Sequence, residues 1–528
     1  MKLKHLVSVF LCLLLALSSA VALASESVYP IEGDVSLTYF GKLHSKVAKD
    51  YAGWEDLAVV QDWFDITGVT MKFQTPPVGM EEEQFNLMLA SGDYADVIVY
   101  NLVELEGGLT KLYEDGVIVD LTDYLEEYAP NYWKYLTDNP DSMREVMSDE
   151  GRIYCFVFAK GGGYLLSTQG PILREDIVAE LGMELPGTID EWDAVLRAVK
   201  ENDEEMIPFT GTMDNLFRSF SPAFGAPATF ELTDGTGKWF ADEEGEVHYA
   251  PAMPEFKDFL TKMNEWYAAG LIDPDIVSLD NSSKDNKMSA GIAFSTFGAG
   301  SNQVASFMNA NADNEGFSTI GVKYPTLVAG DQVKYITEYN ATANDQMAIT
   351  TTCDNVIEAI QMYDWAYGEE GSLRMNWGVE GESFEYGDDG KPHYTDLILK
   401  NPDGKSIDTI LANYALVAVK GPAMMVQDPD YMLEYYALDQ QKTSMENWSD
   451  KDMDSRRFPN VSYKDDEAQV ITNAMADINT YVDSMIIKFI VGTESLENFD
   501  RYVETISNMG IQNAIDAQQA AVDRYNAR

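Results

Sequence analysis

The pattern of apolar and polar positions in the first hundred residues predicts strands that alternate with helices. Residues 35–40 predict a strand, 69–74 alternate apolar and polar side chains as a second strand does, and 97–100 form a short apolar run. Between them, 57–67 place apolar residues at helical spacing, and 81–90 predict a second helix. Strand, helix, strand, helix, strand in this order predicts an α/β fold with a parallel sheet and right-handed crossovers.

The carboxyl ends of the first and third predicted strands are candidate ligand contacts. Ligands of open parallel sheets bind at the carboxyl ends of strands. The side chains that follow these strands are His44, Tyr100 and Asn101. The alternative is that they are ordinary loop residues.

A glycine run interrupts the chain after the apolar strand predicted at 152–158. Gly161-Gly162-Gly163 precedes Tyr164, and no Lys-Ser or Lys-Thr pair follows, so the run lacks the signature of a phosphate loop. We expect a flexible crossover segment of the chain that places Tyr164 near a cleft.

Further candidates lie in aromatic segments of the middle of the chain. Residues 291–298 predict a buried strand that opens into a glycine-rich loop at Phe297. The aromatic region 217–230 and the segment after the turn at 234–237 add Phe217 and Trp239. Aromatic residues in such segments are also typical of a core.

The segment 363–386 begins as a predicted helix and passes into Asn376-Trp377-Gly378-Val379-Glu380-Gly381. Glycine permits a positive φ and a close approach of the backbone, so the indole and the carboxylate of this motif could be presented outward. The competing interpretation is a helix that ends at glycine with its tryptophan in the core. We predict Trp377 and Glu380 as the leading ligand contacts.

Residues 1–24 predict a secretory signal. They combine a basic start at Lys2 and Lys4, an apolar run over 6–17 and Ala-Leu-Ala at 22–24. Export to the cell surface or periplasm is therefore expected. Cys12 follows Phe10-Leu11 without the small residue that a lipid-attachment signal needs, so no lipid anchor is expected.

Charge excludes several classes of partner. The chain has 36 Lys and Arg against 88 Asp and Glu, a formal net charge of −52. A nucleic-acid partner is excluded, and a neutral or cationic ligand is favoured. Cys155 and Cys353 lie in apolar stretches that predict buried thiols, and the sequence does not decide whether they form a disulfide. The scattered histidines have no metal-ligand spacing, so neither a metal nor a cofactor is expected.

Five stretches together resemble family 1 of the extracellular solute-binding proteins, which serve ATP-driven sugar importers. They are residues 85–100, 174–192, 291–297, 369–381 and 489–510. The resemblance implies a two-lobed periplasmic-binding-protein-like fold (type II), with lobe 1 at 27–157 plus 322–372 and lobe 2 at 158–321 plus 373–528. It also implies that a carbohydrate bound in the interlobe cleft is delivered to the membrane permease of an ABC importer. The net charge favours a neutral oligosaccharide, and a monomer is expected.

Two alternatives and one departure from the family remain. Thr188 and Glu191 predict a capping box at the start of a helix. The family often has a calcium loop after that helix, but residues 200–209 lack its glycines, so we expect no calcium site. A secreted glycoside hydrolase would need two carboxylates that face each other across a cleft. Because the chain is so rich in acidic residues, their spacing in the sequence neither proves nor excludes such a pair. No catalytic motif is present. An oligopeptide receptor is the other alternative.

Overall fold

The structure is a computed structural model, and it describes residues 28–230, 236–337, 339–401, 405–449 and 454–528. The predicted signal at 1–24 lies outside these ranges. Within them, no helix has both the length and the apolar character that crossing a membrane requires.

The described residues form sixteen strands. They are β1 (Val35–Gly41), β2 (Val69–Gln74), β3 (Val97–Tyr100), β4 (Phe156–Lys160), β5 (Gln169–Arg174), β6 (Ile207–Phe209), β7 (Trp239–Ala241), β8 (Val247–Tyr249), β9 (Ala293–Ala299), β10 (Thr319–Gly321), β11 (Lys334–Tyr335), β12 (Thr342–Ile349), β13 (Phe384–Tyr386), β14 (Pro392–Tyr394), β15 (Val426–Gln427) and β16 (Asp454–Ser455).

The same residues form twenty-one α-helices. They are α1 (Ala58–Thr67), α2 (Glu81–Ser91), α3 (Gly108–Glu114), α4 (Thr122–Tyr128), α5 (Pro130–Asp138), α6 (Pro140–Val146), α7 (Glu175–Glu180), α8 (Ile189–Asn202), α9 (Met213–Phe220), α10 (Pro254–Ala268), α11 (Asn281–Ser289), α12 (Ala305–Ala310), α13 (Val356–Trp365), α14 (Glu369–Trp377), α15 (Asp396–Leu399), α16 (Ile407–Tyr414), α17 (Asp430–Tyr435), α18 (Asp439–Trp448), α19 (Asp465–Ile490), α20 (Phe499–Asn508) and α21 (Ile511–Asn526).

Lobe 1 is built on a six-stranded sheet in the order β15-β4-β12-β3-β1-β2. As predicted, β1 is parallel to β2 and β3, with helices between them. The helix between β1 and β2 ends where predicted, because Gly68 has φ 77° and its N–H donates to Phe64 O at 2.8 Å. The sheet is mixed, since β12 runs antiparallel to both of its neighbours.

Lobe 2 is built on a four-stranded sheet in the order β10-β5-β9-β6. Its core buries Trp192 of α8, together with side chains of α9, α10 and α19. The capping box predicted at the start of α8 is present: Glu191 N–H donates to Thr188 Oγ1 at 3.2 Å, and Thr188 N–H donates to Glu191 Oε2 at 3.0 Å.

Three crossing segments connect the lobes: 161–168 between β4 and β5, 322–341 between β10 and β12, and 436–438 between α17 and α18. The position of the third differs from the predicted boundary at 373. Val426 of β15 pairs with Ala159 in the lobe 1 sheet, so the chain returns to lobe 2 only after α17. The edge strand β15 has only 2 residues, too few to show in the sequence, and the lobe boundaries stay a prediction.

Candidate ligand-binding cleft

The carboxyl edge of the lobe 1 sheet contains two of the predicted contacts. Tyr100 ends β3 and is half-buried, with its ring stacked on Phe85 at 4.3 Å between ring centres. Asn101 follows, and its buried Oδ1 has no hydrogen-bond partner among the described residues. A buried carbonyl oxygen without a partner is costly, so this amide could accept a ligand hydroxyl.

His44 lies near the same edge and is neutral at physiological pH. Burial, together with the nearby ammonium groups of Lys46 and Lys42, lowers its pKa to about 4. The N–H of Lys46 donates to His44 Nδ1 at 3.2 Å, which requires that nitrogen to be unprotonated. A neutral imidazole at this place can both donate and accept hydrogen bonds.

His44 should make the protein less stable in mild acid. The unfolded chain takes up a proton at a pKa of about 6.5, whereas folded His44 does so only near 4, so stability falls as the pH drops between these values. We expect His44→Asn to reduce the loss between about pH 7.5 and pH 5 by about 1 kcal/mol, a value discounted for partial exposure. Urea unfolding at both pH values measures it, and equal losses in both proteins would contradict it.

A small cavity of about 10 Å³, with room for about one water molecule, lies where two crossing segments meet lobe 2. Its lining combines aromatic rings with polar side chains: Ser167, Gln169, Arg218, Pro222, Ala228, Thr229, Phe297, Tyr324, Tyr335 and Ile336. The predicted contact Phe297 is therefore in its wall, with its ring edge-on to Tyr324 at 6.5 Å. The hydroxyl of Thr229 is buried without a hydrogen-bond partner among the described residues.

Two lysines that the sequence did not single out, Lys160 and Lys420, lie close to the ring of Tyr339. Lys160 Nζ is 4.0 Å from the centre of the Tyr339 ring, and Lys420 Nζ is 6.0 Å from it. Lys42 Nζ lies 3.2 Å from Asp345 Oδ1. The one local signal was position, because Lys42 follows β1 and Lys160 ends β4.

The two leading predicted residues lie apart from these groups. Trp377 is 2% exposed inside lobe 1, where its Nε1–H donates to Asp428 Oδ2 at 2.8 Å and its ring packs on Tyr394 at 4.9 Å. Its neighbour Gly378 has φ 93°, and an added Cβ there would lie 2.2 Å from Ser383 Oγ. Glu380 is exposed on the loop that follows. Gly378 thus permits the close backbone turn beside which the indole of Trp377 is buried.

The remaining predicted residues are not brought to the cavity. Phe217 is fully buried among Phe230, Phe256 and Phe259 in lobe 2, and Trp239 is buried against Tyr249. The backbone of Tyr164 forms a turn in the first crossing segment, but its side chain is outside the described part of the structure.

One group of potential metal ligands occurs among the described residues. Oxygen or nitrogen atoms of Asp242, Glu246 and His248 lie within 4.8 Å of one another. Their hairpin already uses them, since Asp242 Oδ1 accepts the N–H of Glu246 at 2.8 Å and Asp242 Oδ2 contacts His248 Nε2 at 2.8 Å. These bonds explain the cluster as the closure of the β7–β8 turn.

Residues 45–372 match the family described as bacterial extracellular solute-binding protein. The chain belongs to this family. The match confirms the resemblance noted in the sequence and the expectation that the protein works outside the cytoplasm. Among curated proteins, the chain is 23% identical over 468 residues to the fructooligosaccharide ABC transporter substrate-binding protein FusA of Streptococcus pneumoniae, covering 84% of this chain and 83% of FusA.

Solved structures of solute-binding proteins share the fold. The alginate-binding protein AlgQ2, solved without calcium, has a TM-score of 0.66 at 22% identity and covers 94% of this chain and 100% of its own. A solute-binding protein of Bifidobacterium longum infantis associated with a human-milk-oligosaccharide (HMO) ABC transporter has a TM-score of 0.69 at 17% identity, with 94% and 99% coverage. These similarities confirm the two-lobed α/β fold.

Proposed function

We propose that this solute-binding protein captures an oligosaccharide between its two lobes and delivers it to the permease of an ABC importer. The observation that carries this proposal is the lining of the small cavity at the crossing segments, which must open further to admit a sugar ring. Its walls join aromatic rings from Phe297, Tyr324 and Tyr335 to polar groups from Gln169 and Thr229. Flat apolar rings suit the C–H faces of a pyranose, and fixed polar groups suit its hydroxyls.

The position of the cavity supports capture by closure of the lobes. Ser167 and Ile336 belong to two different crossing segments, whereas Phe297 lies in the strand β9 of lobe 2. Asn101 and His44 on lobe 1 are the proposed contacts from the opposite side. A ligand that touches both lobes binds the closed state better and shifts the population towards it.

The known relatives favour transport over the two alternatives. The family is defined by solute binding, and the curated relative FusA is named for a fructooligosaccharide transporter. We therefore propose that the protein is a monomeric receptor that leaves its ligand chemically unchanged. Chromatography of oligosaccharides after incubation with the protein should show no cleavage, and the appearance of shorter products would favour the hydrolase.

A panel of oligosaccharides and peptides tests the ligand class directly. A ligand that binds only the folded protein stabilises it and so raises its melting temperature. At a hundredfold excess over Kd the added free energy of unfolding is about 2.7 kcal/mol. We expect at least one oligosaccharide and no peptide to raise the melting temperature. A panel in which only peptides stabilise the protein would overturn the proposal.

The Thr229 hydroxyl provides a specific test of the cavity. Thr229→Val keeps the shape of the side chain but removes a hydroxyl that has no partner in the described protein. We expect affinity for the cognate oligosaccharide to fall about three- to tenfold, because one hydrogen bond to the ligand is lost. Isothermal titration calorimetry measures the change.

Thr296→Val is the matched control for that variant. Thr296 has an equally buried hydroxyl without a partner among the described residues, but it is not part of the cavity wall. Its affinity should equal that of the unaltered protein. Equal losses in the two variants would show that the cavity does not hold the ligand.

A further inference from the structure

Two arginines at the end of the chain reach from lobe 2 to a single carboxylate. Arg524 lies on α21, whose Ala514 and Val522 are buried in the core of lobe 2, and Arg528 follows that helix. Arg524 Nε donates to Asp149 Oδ2 at 2.8 Å, and Arg528 Nη2 donates to Asp149 Oδ1 at 2.7 Å. We call Asp149, Arg524 and Arg528 the arginine clasp.

The carboxylate of the clasp belongs to lobe 1. Asp149 lies in a turn between Val146 and Ile153, and both of these side chains are buried in the core that contains the lobe 1 sheet. Arg528 makes a second contact with the same lobe, because its Nη1 donates to Arg144 O at 3.1 Å. The clasp therefore joins the two lobes without using a crossing segment.

The clasp is largely buried and is held firmly on the side of lobe 2. The Arg528 side chain is almost fully buried, and those of Asp149 and Arg524 are mostly buried. Arg524 Nη2 donates to Glu467 Oε2 at 2.6 Å and to Ser462 O at 2.8 Å, which fixes its direction. Charge-assisted hydrogen bonds between groups buried to this extent are strong and are screened little by salt.

The clasp lies beside the point where the second crossing segment enters lobe 1. Glu145, at the end of α6 next to Arg144, accepts the N–H of Thr342 at 2.9 Å. Thr342 begins β12, directly after the crossing segment 322–341. A rotation of the lobes about the crossing segments displaces the two sides of the clasp. Displacement by about 1 Å or more takes such short hydrogen bonds beyond their normal length.

The arrangement that the clasp holds leaves too little room for a sugar ring. The cavity at the crossing segments has a volume of about 10 Å³, which is enough for about one water molecule. Its walls include Ser167 and Ile336 from two crossing segments and Phe297 from lobe 2. Because these walls shift when the lobes shift, a saccharide enters only after the lobes change their arrangement.

We propose that the arginine clasp is a conformational device that holds the lobes in this shut arrangement, so that its strength sets the affinity for the saccharide. The inference rests on the proposed function, because it describes how binding in the same cavity is regulated. The apparent Kd equals the intrinsic Kd divided by the fraction of protein in the arrangement that binds. Loosening the clasp raises that fraction, and the protein then binds more tightly.

The distance between the lobes tests the clasp without any saccharide. Lys72 on β2 and Glu201 on α8 are exposed, so cysteines introduced there accept spin labels, whereas Cys155 and Cys353 are buried. Double electron–electron resonance then gives the distribution of distances. We expect one narrow distribution for the labelled parent protein and a broader or second one after Asp149→Asn. Identical distributions would overturn the proposal.

Glu467→Gln is the matched control. It removes one carboxylate charge from Arg524, as Asp149→Asn does, but the contact that it weakens lies within lobe 2. It should leave the distances between the lobes and the affinity unchanged, even where it lowers stability. Arg528→Gln weakens the clasp from its other side and should act like Asp149→Asn. Equal changes in the control and in the two clasp variants would show that lost stability, and not the clasp, causes the effect.

Calorimetry with kestose, maltotriose and trigalacturonate measures the effect on binding. Each of these saccharides that binds the unaltered protein should bind the Asp149→Asn variant about three- to tenfold more tightly, because the binding arrangement is more populated. Equal or weaker binding by the variant would overturn control of affinity by the clasp. Failure of all three saccharides to bind either protein would count against the proposed function, and the distance measurement would still decide whether the clasp holds the lobes.

Discussion

Replacing Trp448 with alanine is expected to lower the free energy of unfolding by about 4 kcal/mol, in the range for removal of a buried aromatic ring. Trp448 is fully buried at the end of α18, and its Nε1–H donates to Val322 O at 3.0 Å. Its indole packs directly on the backbone of Gly170 and Gly321, where two strands meet the crossing segments. Urea unfolding followed by circular dichroism measures the loss.

The glycines beneath the indole allow a stricter test. A Cβ added at Gly170 would lie 2.1 Å from the Trp448 ring, whose atoms are its three nearest neighbours, so Gly170→Ala should also destabilise the protein. In the Trp448→Ala background the new methyl group enters the space that the ring has left. The double variant should therefore lose less stability than the sum of the losses in the two single variants. Simple additivity would contradict the proposed packing.

Replacing Asp149 with alanine is expected to cost about 3 kcal/mol, because it leaves buried charge without its partner. Asp149 lies in lobe 1, and its Oδ1 accepts from Arg528 Nη2 at 2.7 Å while its Oδ2 accepts from Arg524 Nε at 2.8 Å. The Arg528 side chain is only 3% exposed. Arg524 lies on α21, which packs on α19 of lobe 2, so the carboxylate connects the two lobes. Chemical denaturation at neutral pH provides the measurement.

A nearby acid serves as the control for Asp149. Asp141 begins α6, pairs with Arg144 and is 80% exposed. Solvent screens such a pair, so Asp141→Ala should change stability by no more than about 0.5 kcal/mol. Similar losses for Asp141→Ala and Asp149→Ala would show that the interlobe pair is no stronger than a surface contact.

Local patterns were sufficient for the first half of lobe 1. The predicted strands and helices from 35 to 100 match β1, α1, β2, α2 and β3, with boundaries within a few residues. Thr188 and Glu191 form the predicted capping box. These features depend on apolar spacing and on backbone groups a few residues away, which sequence records directly.

The functional site was only partly predictable. Phe297 lies in β9 and Asn101 follows β3, and both have a place in the proposed cleft, where they stay predictions. Trp377 was chosen because glycines flank it, yet Tyr394 and Asp428 cover it from later in the chain. Flanking glycine indicates that the backbone turns, but what packs on the turn is decided by distant segments.

The total charge follows from the sequence, whereas the local arrangement of charges does not. The sequence alone determines that the protein is acidic, that its lobes are of the α/β class and that it belongs with exported solute-binding proteins. Nothing local marks Lys42, Lys160 and Lys420 as neighbours, because they lie in three segments that meet only when the crossing segments pack together. Composition sums charge over the whole chain, whereas binding depends on the few charges within several ångströms of the ligand. Tertiary structure places those charges, so the neutral ligand favoured by the net charge stays a prediction.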